Sequence, residues 1–317
     1  MIEGQIKDIG RIGVLMGGCS SERDISIKSG TAVLKALKET GCDAVAVMID
    51  SEDPAVNTPV LKQARIQAAF IAMHGRYGED GGIQSLLECL HIPYAGSKPA
   101  ASRLAMNKHL TQEALRRAGL PIPDFCVVTE RATAEAKVRE SFGREAVVVK
   151  PVKQGSSIGV HIVMKPDDLK PALDDAFRYD EEVLVERFIH GRELTAGILG
   201  GQALPIVEIR SHRAFFDFEA KYQKGLTEYI VPAELSSETT ARIQALALSV
   251  FDTIGCRDFA RVDFLLDAAK RPYILEVNTI PGFTGTSLLP MAARCAGYEF
   301  PQLCVKLIML ALEATRV

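Results

Sequence analysis

Nowhere in the 317 residues is there a run of five or six like charges, and 37 basic residues stand against 40 acidic ones. That argues against the basic stripe of a nucleic-acid binder and the polybasic face that seeks an anionic membrane. No segment approaches the roughly 20 apolar residues of a membrane span. The apolar stretch Ile12 to Met16 is too short for a signal-peptide core and runs into Gly17-Gly18. A disulfide framework is missing too. The seven cysteines (Cys19, Cys42, Cys89, Cys126, Cys256, Cys295 and Cys304) are odd in number and form no C-x-x-C pair, so they read as reduced thiols. A cytoplasmic protein with no nucleic-acid or membrane partner is expected. The G-x-x-x-x-G-K-[ST] spacing of a P-loop is absent, and Gly13 to Gly18 lack the G-x-G-x-x-G fingerprint, which removes a dehydrogenase reading.

What is present is apolar material for more than one core: 47% of the residues are hydrophobic, which suits two or three domains at this length. Ile12 to Met16, Ala44 to Ile49 and Ala68 to Met73 read as buried parallel strands, with amphipathic stretches at Ile25 to Leu37 and Ile83 to Leu90. The loops Gly17 to Ser21 and His74 to Gly82 then lie at the carboxyl ends of a sheet, where open α/β folds bind ligands. Lys98 to Ile122 reads as helical, closed by Pro121-Ile122-Pro123, with a domain border near residue 103. Short strands at Ala146 to Val149, Val160 to Val163 and Val183 to Phe188 follow, with a helix at Asp167 to Phe177. A second border near Gly191 separates a last set: strands at Leu194 to Leu199, Ala203 to Ile209, Ala260 to Leu265 and Tyr273 to Val277, and a helix at Glu238 to Thr253. The expected parts are 1–103, 104–190 and 191–317.

Chemistry concentrates in Arg261-Val262-Asp263 and Glu276-Val277-Asn278. If these lie on adjacent antiparallel strands, Asp263, Glu276 and Asn278 share a face. Three oxygen ligands on a rigid sheet suit Mg²⁺ bridging phosphates, and a solvated acidic face is the plainer alternative. Lys150 ends an apolar strand, and Lys153 to Gly159 is a Gly/Ser-rich loop whose N–H groups could fold over a triphosphate or simply connect. Glu22 could be a first-turn helix acid, His74 a satisfied core residue, Ser287 a helix cap, and Glu186 and Glu193 solvated strand positions.

Five ordered motifs change that balance. Gly17-Gly18-Cys19-Ser20-Ser21-Glu22-Arg23, His74-Gly75-Arg76-Tyr77-Gly78-Glu79-Asp80-Gly81, Gly155-Ser156-Ser157-Ile158-Gly159, Glu219-Ala220-Lys221-Tyr222 and Glu276-Val277-Asn278-Thr279-Ile280-Pro281-Gly282 together resemble the D-alanine:D-alanine ligases of the ATP-grasp fold. The resemblance spans nearly the whole chain. It implies an α/β and α+β architecture: an N-terminal parallel-sheet domain binding the first D-alanine, then two α+β parts that clamp ATP. It also implies ATP as co-substrate with two Mg²⁺ or Mn²⁺ ions at Asp263, Glu276 and Asn278. Lys108 and Lys150 would hold phosphates with Ser156 and Ser157, Glu186, Arg187, Phe188 and Ile189 the adenine, and Glu193 the ribose; Phe215 and Lys221 complete the nucleotide set. Glu22 would meet the first ammonium with His74 beside it, while Lys221, Ser287 and Leu288 take the second carboxylate. Arg261 and Gly282 would stabilise the tetrahedral oxyanion. Tyr222, in a lid from Phe215 to Thr227, would reach toward Ser156 and Glu22. A homodimer is expected from the same resemblance.

Two rivals remain at this point. One is a relative taking D-lactate or D-serine as second substrate, against which Tyr222 in the lid speaks. The other is a nucleotide-binding regulator without catalysis, against which the intact Asp263, Glu276 and Asn278 speak.

Overall fold

The computed structural model describes residues 9–211 and 227–313. The first layer is built from β1 (Ile12–Gly17), α1 (Arg23–Glu39), β2 (Ala44–Ile49), α2 (Pro54–Ala64), β3 (Ala68–Ile71) and α3 (Gly82–Cys89). All six residues of β1 are buried, as expected of a parallel strand covered on both faces. It is the middle strand of a parallel sheet ordered β2-β1-β3, with Ile12 opposite both Ala44 and Ala68. α1 buries Ser26, Ser29, Gly30, Val33, Ala36 and Leu37, the helical spacing of a core-facing stripe. Gly30 allows this approach, because a Cβ there would stand 2.6 Å from the Cβ of Met16. α2 was not foreseen, although Asp53 caps it by accepting from Ala55 N and Pro54 sits in its first turn, both legible start signals.

The single helical stretch expected over Lys98 to Ile122 is two helices, α4 (Pro99–Met106) and α5 (Lys108–Arg117). Asn107 between them is extended, and its side chain accepts from Leu110 N, so the residue that ends one helix caps the next. Their apolar positions Ala101, Ala105 and Leu115 join the core beneath the third sheet. The border expected near residue 103 therefore falls inside a helix rather than in a linker.

The second layer comprises β4 (Phe125–Val128), α6 (Arg131–Phe142), β5 (Val147–Pro151), β6 (His161–Val163), α7 (Leu169–Ala176) and β7 (Val183–Arg187). Its antiparallel sheet runs β4-β7-β5-β6, and α6 and α7 close one face through Val138, Phe142, Leu169 and Leu173.

The third layer contains β8 (Gly191–Leu199), β9 (Gln202–Ala203), β10 (Val207–Ser211), β11 (Thr227–Ile230), α8 (Ser237–Ile254), β12 (Phe259–Asp267), β13 (Pro272–Asn278), α9 (Leu288–Cys295) and α10 (Phe300–Glu313). The strand order is β11-β10-β8-β12-β13, with β9 on β8. The strand expected over Ala203 to Ile209 is split into β9 and β10. Pro205 lies in the gap, with no N–H for a ladder and a fixed φ. α8 starts at Ser236, whose side chain accepts from Thr239 N, and stops at left-handed Gly255.

Two features tie the third layer to the first. α10 folds back so that Leu303, Leu307 and Ile308 share one core with Val14, Phe70 and Phe283. At the start of β12, Arg257 donates to Gly96 O at 3.0 Å and Tyr94 O at 2.8 Å, and Asp258 accepts from Gly96 N at 2.9 Å. The Arg257 guanidinium also lies over the Tyr94 ring. These bonds fix the strand bearing Arg261 and Asp263 to the sheet whose loops bear Glu22 and His74.

Candidate active site

Beyond the carboxyl ends of β1 and β3, the first layer meets the Gly/Ser loop of the second layer through Glu22 and Ser156, and the segment after β13 through Ser29 and Phe283. Glu22 precedes α1, and its carboxylate is framed by two glycines. A Cβ would come within 2.8 Å of Glu22 Oε2 at Gly75 and within 3.2 Å at Gly155. Gly75 is also left-handed, φ 71°, which favours glycine a second time. The Ser156 hydroxyl donates to Glu22 Oε1, which joins the first-layer loop to the Gly/Ser loop across 134 residues. Ser156 and Ser157 both hold φ near the left-handed region, 51° and 60°, conformations uncommon outside glycine.

His74 follows β3 and is buried, 4% exposed. Its Nε2 lies 3.1 Å from Ser29 Oγ and its Nδ1 3.1 Å from Glu79 Oε1. Ser29 in turn accepts from Phe283 N. The imidazole is thus held on both nitrogens. Glu79 and Ser29 had been given no site role from the sequence. Glu79 was inside a recognised motif, and Ser29 was a polar residue on the buried stripe of an amphipathic helix, which is the signal that could have singled it out.

Strands β12 and β13 pair with Asp263 opposite Glu276 and Arg261 opposite Asn278, so all four side chains share one face, as the i, i+2 spacing predicted. A β-bulge follows Asp263, and such irregularities re-aim side chains beside functional sites. Arg261 grips Asp263 with two bonds of 2.9 and 2.8 Å, Thr195 Oγ1 donates to Asp263 Oδ1 at 2.6 Å, and Asn278 Nδ2 lies 3.2 Å from Asp263 Oδ2. Burial disfavours a charged Arg261, but Asp263, Glu276 and Glu79 outweigh it and hold the guanidinium firmly protonated. Among the described residues no three His, Cys, Asp or Glu side chains cluster as metal ligands. Two carboxylates and an amide oxygen fit a hard cation that takes the rest of its shell from phosphate and water.

Lys150 is the penultimate residue of β5, with its ammonium 2.5 Å from Glu186 Oε2 on β7. Burial alone would lower the Lys150 pKa; Glu186, with Glu276 and Glu193 behind it, reverses this and raises it above the ordinary lysine range. Lys108 occupies the first position of α5, where the helix dipole disfavours a cation, and its ammonium donates to Gln154 O in the Gly/Ser loop.

A cavity of about 840 Å³ lies between the second and third sheets, lined among others by Lys150, Ser157, Phe188, Ile189, Glu193 and Asp263. Arg187 lines it as well, but its guanidinium turns to Asp124 and Glu145. A second cavity of about 620 Å³ is lined by Glu22, His74, Glu79, Asn278, Gly282 and Ser287. The two share Lys108, Gln154, Gly155, Ser156, Arg261, Glu276 and Leu288, so they are halves of one cleft. Ser287 occupies the N-cap position of α9 without capping it. Its Oγ accepts from Thr284 N at 3.0 Å and so does not satisfy the first-turn N–H groups of Leu288 and Leu289, while Pro290 has none. Phe215, Lys221 and Tyr222 lie outside the described residues.

Such a cleft can hold a polyphosphate in one half and a small zwitterion in the other. The chain is similar to known proteins along nearly its whole length. Residues 11–63 and 54–97 match the family model for the D-ala D-ala ligase N-terminus, and residues 114–309 the model for the D-ala D-ala ligase C-terminus. A D-alanine–D-alanine ligase of Pelotomaculum thermopropionicum is 48% identical over 312 residues, 96% of this chain and 97% of that one. A solved D-alanine–D-alanine ligase of Bacillus anthracis complexed with ATP superposes with TM-score 0.84 at 34% identity, covering 97% and 99% of the two chains. The VanG D-Ala:D-Ser ligase of Enterococcus faecalis superposes with TM-score 0.80 at 28% identity, covering 95% and 99%.

Proposed function

The chain belongs to the D-alanine–D-alanine ligase family, and on that premise we propose how its cleft joins two D-alanine molecules with ATP. The product, D-alanyl-D-alanine, serves peptidoglycan synthesis. A carboxylate is a poor acylating agent, so one D-alanine carboxylate oxygen attacks the γ-phosphorus of ATP, and the bond to ADP breaks. The amine of the second D-alanine then attacks the acyl phosphate carbon, phosphate leaves with the bonding pair, and the amine gives up a proton.

The residue roles follow from where charge develops. Lys108 and Lys150, with the N–H groups around Ser156 and Ser157, neutralise the phosphates as the transferring group becomes charged. The backbone of Glu186, Arg187, Phe188 and Ile189 takes the adenine, and Glu193 the ribose. Glu22, with His74 beside it, holds the first ammonium, so its carboxylate points to the Arg261 junction. Ser287 and the Leu288 N–H at the α9 terminus hold the second carboxylate, and Arg261 with the Gly282 N–H steadies the tetrahedral oxyanion. Phe215, Lys221 and Tyr222 are assigned to nucleotide, second carboxylate and lid. Asp263, Glu276 and Asn278 would hold two Mg²⁺ or Mn²⁺ ions, which when bound place positive charge among the phosphate oxygens.

The observation that carries this reading is the joining of the two half-cavities at Lys108, Ser156, Arg261 and Glu276. The division into 1–103, 104–190 and 191–317 is supported by one sheet falling in each part. A cytoplasmic homodimer is part of the proposal, and sedimentation equilibrium checks the dimer. Phosphate release from ATP and Mg²⁺, measured separately with D-alanine, L-alanine, D-serine and D-lactate, tests the chemistry. Release together with dipeptide formation on D-alanine alone is expected; turnover indifferent to stereochemistry would remove the substrate assignment.

A further inference from the structure

Helix α5 begins with Lys108 and carries Gln112 one turn later, on its buried face, 1% exposed. The Gln112 amide nitrogen donates two hydrogen bonds of 3.0 Å, one to Glu186 Oε1 on β7 and one to Leu275 O on β13. The other Glu186 oxygen, Oε2, takes the Lys150 ammonium. Leu275 immediately precedes Glu276. One side chain therefore reaches the counter-ion of Lys150 in the second sheet and the backbone of the metal-site strand in the third. Two facing acceptors leave no choice about which end of the amide is nitrogen, since the reverse would set its oxygen against both.

The amide oxygen is the second observation. Gln112 Oε1 is buried with no hydrogen-bond partner. A buried acceptor without a donor costs stability, and an apolar side chain of similar volume would fill the space without that cost. The amide is thus unfavourable as packing, and what it supplies is its two donors.

We propose that Gln112 is a positioning residue for the nucleotide: it fixes Glu186 so that Lys150 is aimed into the phosphate half of the cleft, and it sets the spacing between Lys150 and Glu276. Glu186 has two oxygens and two partners. With Gln112 removed, the carboxylate is free to rotate about its own axis, and Lys150 follows it. Glu276, one residue beyond Leu275, loses its tether to α5 in the same step. The effect falls on the polyphosphate half, because among the described residues Gln112 hydrogen-bonds to Glu186 and Leu275 and not to Glu22, His74 or Ser287.

This inference rests on the reading of the larger half-cavity as the ATP site. Two variants of the full chain test it. Gln112→Met keeps length and volume without donors, and Gln112→Glu keeps shape but sets a second carboxylate beside Glu186. Affinity for ATP with Mg²⁺ is read by calorimetry, the KM values for ATP and D-alanine separately, and the folded fraction by thermal unfolding. Nucleotide affinity per folded molecule is expected to fall about tenfold in Gln112→Met, as for the loss of one hydrogen bond to a charged group. It should fall further in Gln112→Glu, while the KM for D-alanine stays within about twofold. Unchanged nucleotide affinity in Gln112→Met overturns the proposal, as does an equal rise in both KM values. Failure of the unaltered protein to bind ATP would instead remove the ATP-site reading beneath it.

Discussion

Replacing Lys150 by alanine separates the structural from the functional work of the Lys150–Glu186 pair. The side chains are 13% and 2% exposed, with nitrogen and oxygen 2.5 Å apart. Removing one partner of a buried pair costs about 3–5 kcal/mol, because the other charge is stranded in a poor solvent. Glu186 keeps its bond from Gln112, so Lys150→Ala should lie at the low end, about 3 kcal/mol. The pH dependence has a definite sign. Lys150 has its folded pKa raised above the ordinary 10.5, so its contribution is complete below that value and is lost only as pH rises through the higher folded value. The stability gap between Lys150→Ala and the unaltered protein should therefore stay constant below about 10.5 and narrow as pH rises through the raised folded value. Urea unfolding followed by circular dichroism at a series of pH values reads this directly. The double variant Lys150→Met with Glu186→Gln leaves no charge behind and should recover to within about 1 kcal/mol of the original. Its affinity for ADP should stay depressed by about tenfold or more, since the phosphate cation is still missing. A Lys150→Ala protein as stable as the parent, or a double variant no better than the single one, would refute the reasoning.

Four further perturbations have expected outcomes. Glu22→Gln should raise the KM for the first D-alanine while leaving ATP affinity within about twofold, because the amide keeps an acceptor for Ser156 but loses the charge facing the ammonium; equal losses in calorimetry would contradict the role. Gly75→Ala should lower kcat and cost about 1 kcal/mol of stability, since the new methyl meets Glu22 and Ser20 at under 3 Å in a left-handed backbone. Full activity in that variant would show that the Glu22 carboxylate needs no such frame. Chelation of divalent cations should abolish turnover, and Asp263→Asn should make nucleotide affinity nearly indifferent to added Mg²⁺; a retained Mg²⁺ dependence would take Asp263 out of the metal set.

Much of the site was readable along the chain because its parts are local. Asp263 with Arg261, and Glu276 with Asn278, share a face by strand alternation alone, and the registers Asp263 to Glu276 and Arg261 to Asn278 follow that geometry. The strands Ile12 to Met16 and Ala44 to Ile49 and the helix near Ile25 to Leu37 carried their period in a short window. Where short-range reading failed, a competing local signal had been passed over: Asp53-Pro54 opening α2, Asn107 dividing one helix into two, and Pro205 interrupting a strand.

Composition, period and motif order determined by themselves that the chain is a layered α/β molecule, and where along it Lys150, the Gly/Ser loop, Asp263, Glu276 and Asn278 fall. What only the tertiary structure decided lies between segments far apart in the chain. Ser156 meets Glu22 across 134 residues, Gln112 meets Leu275 across 163, and Arg257 meets Tyr94 across 163. Helix α10 closes the core of the first layer from the far end of the sequence. No window of residues contains such pairs, because hydrophobic period records which face is buried but not what it is buried against; that choice is made when whole sheets pack and each buried polar group must find a partner.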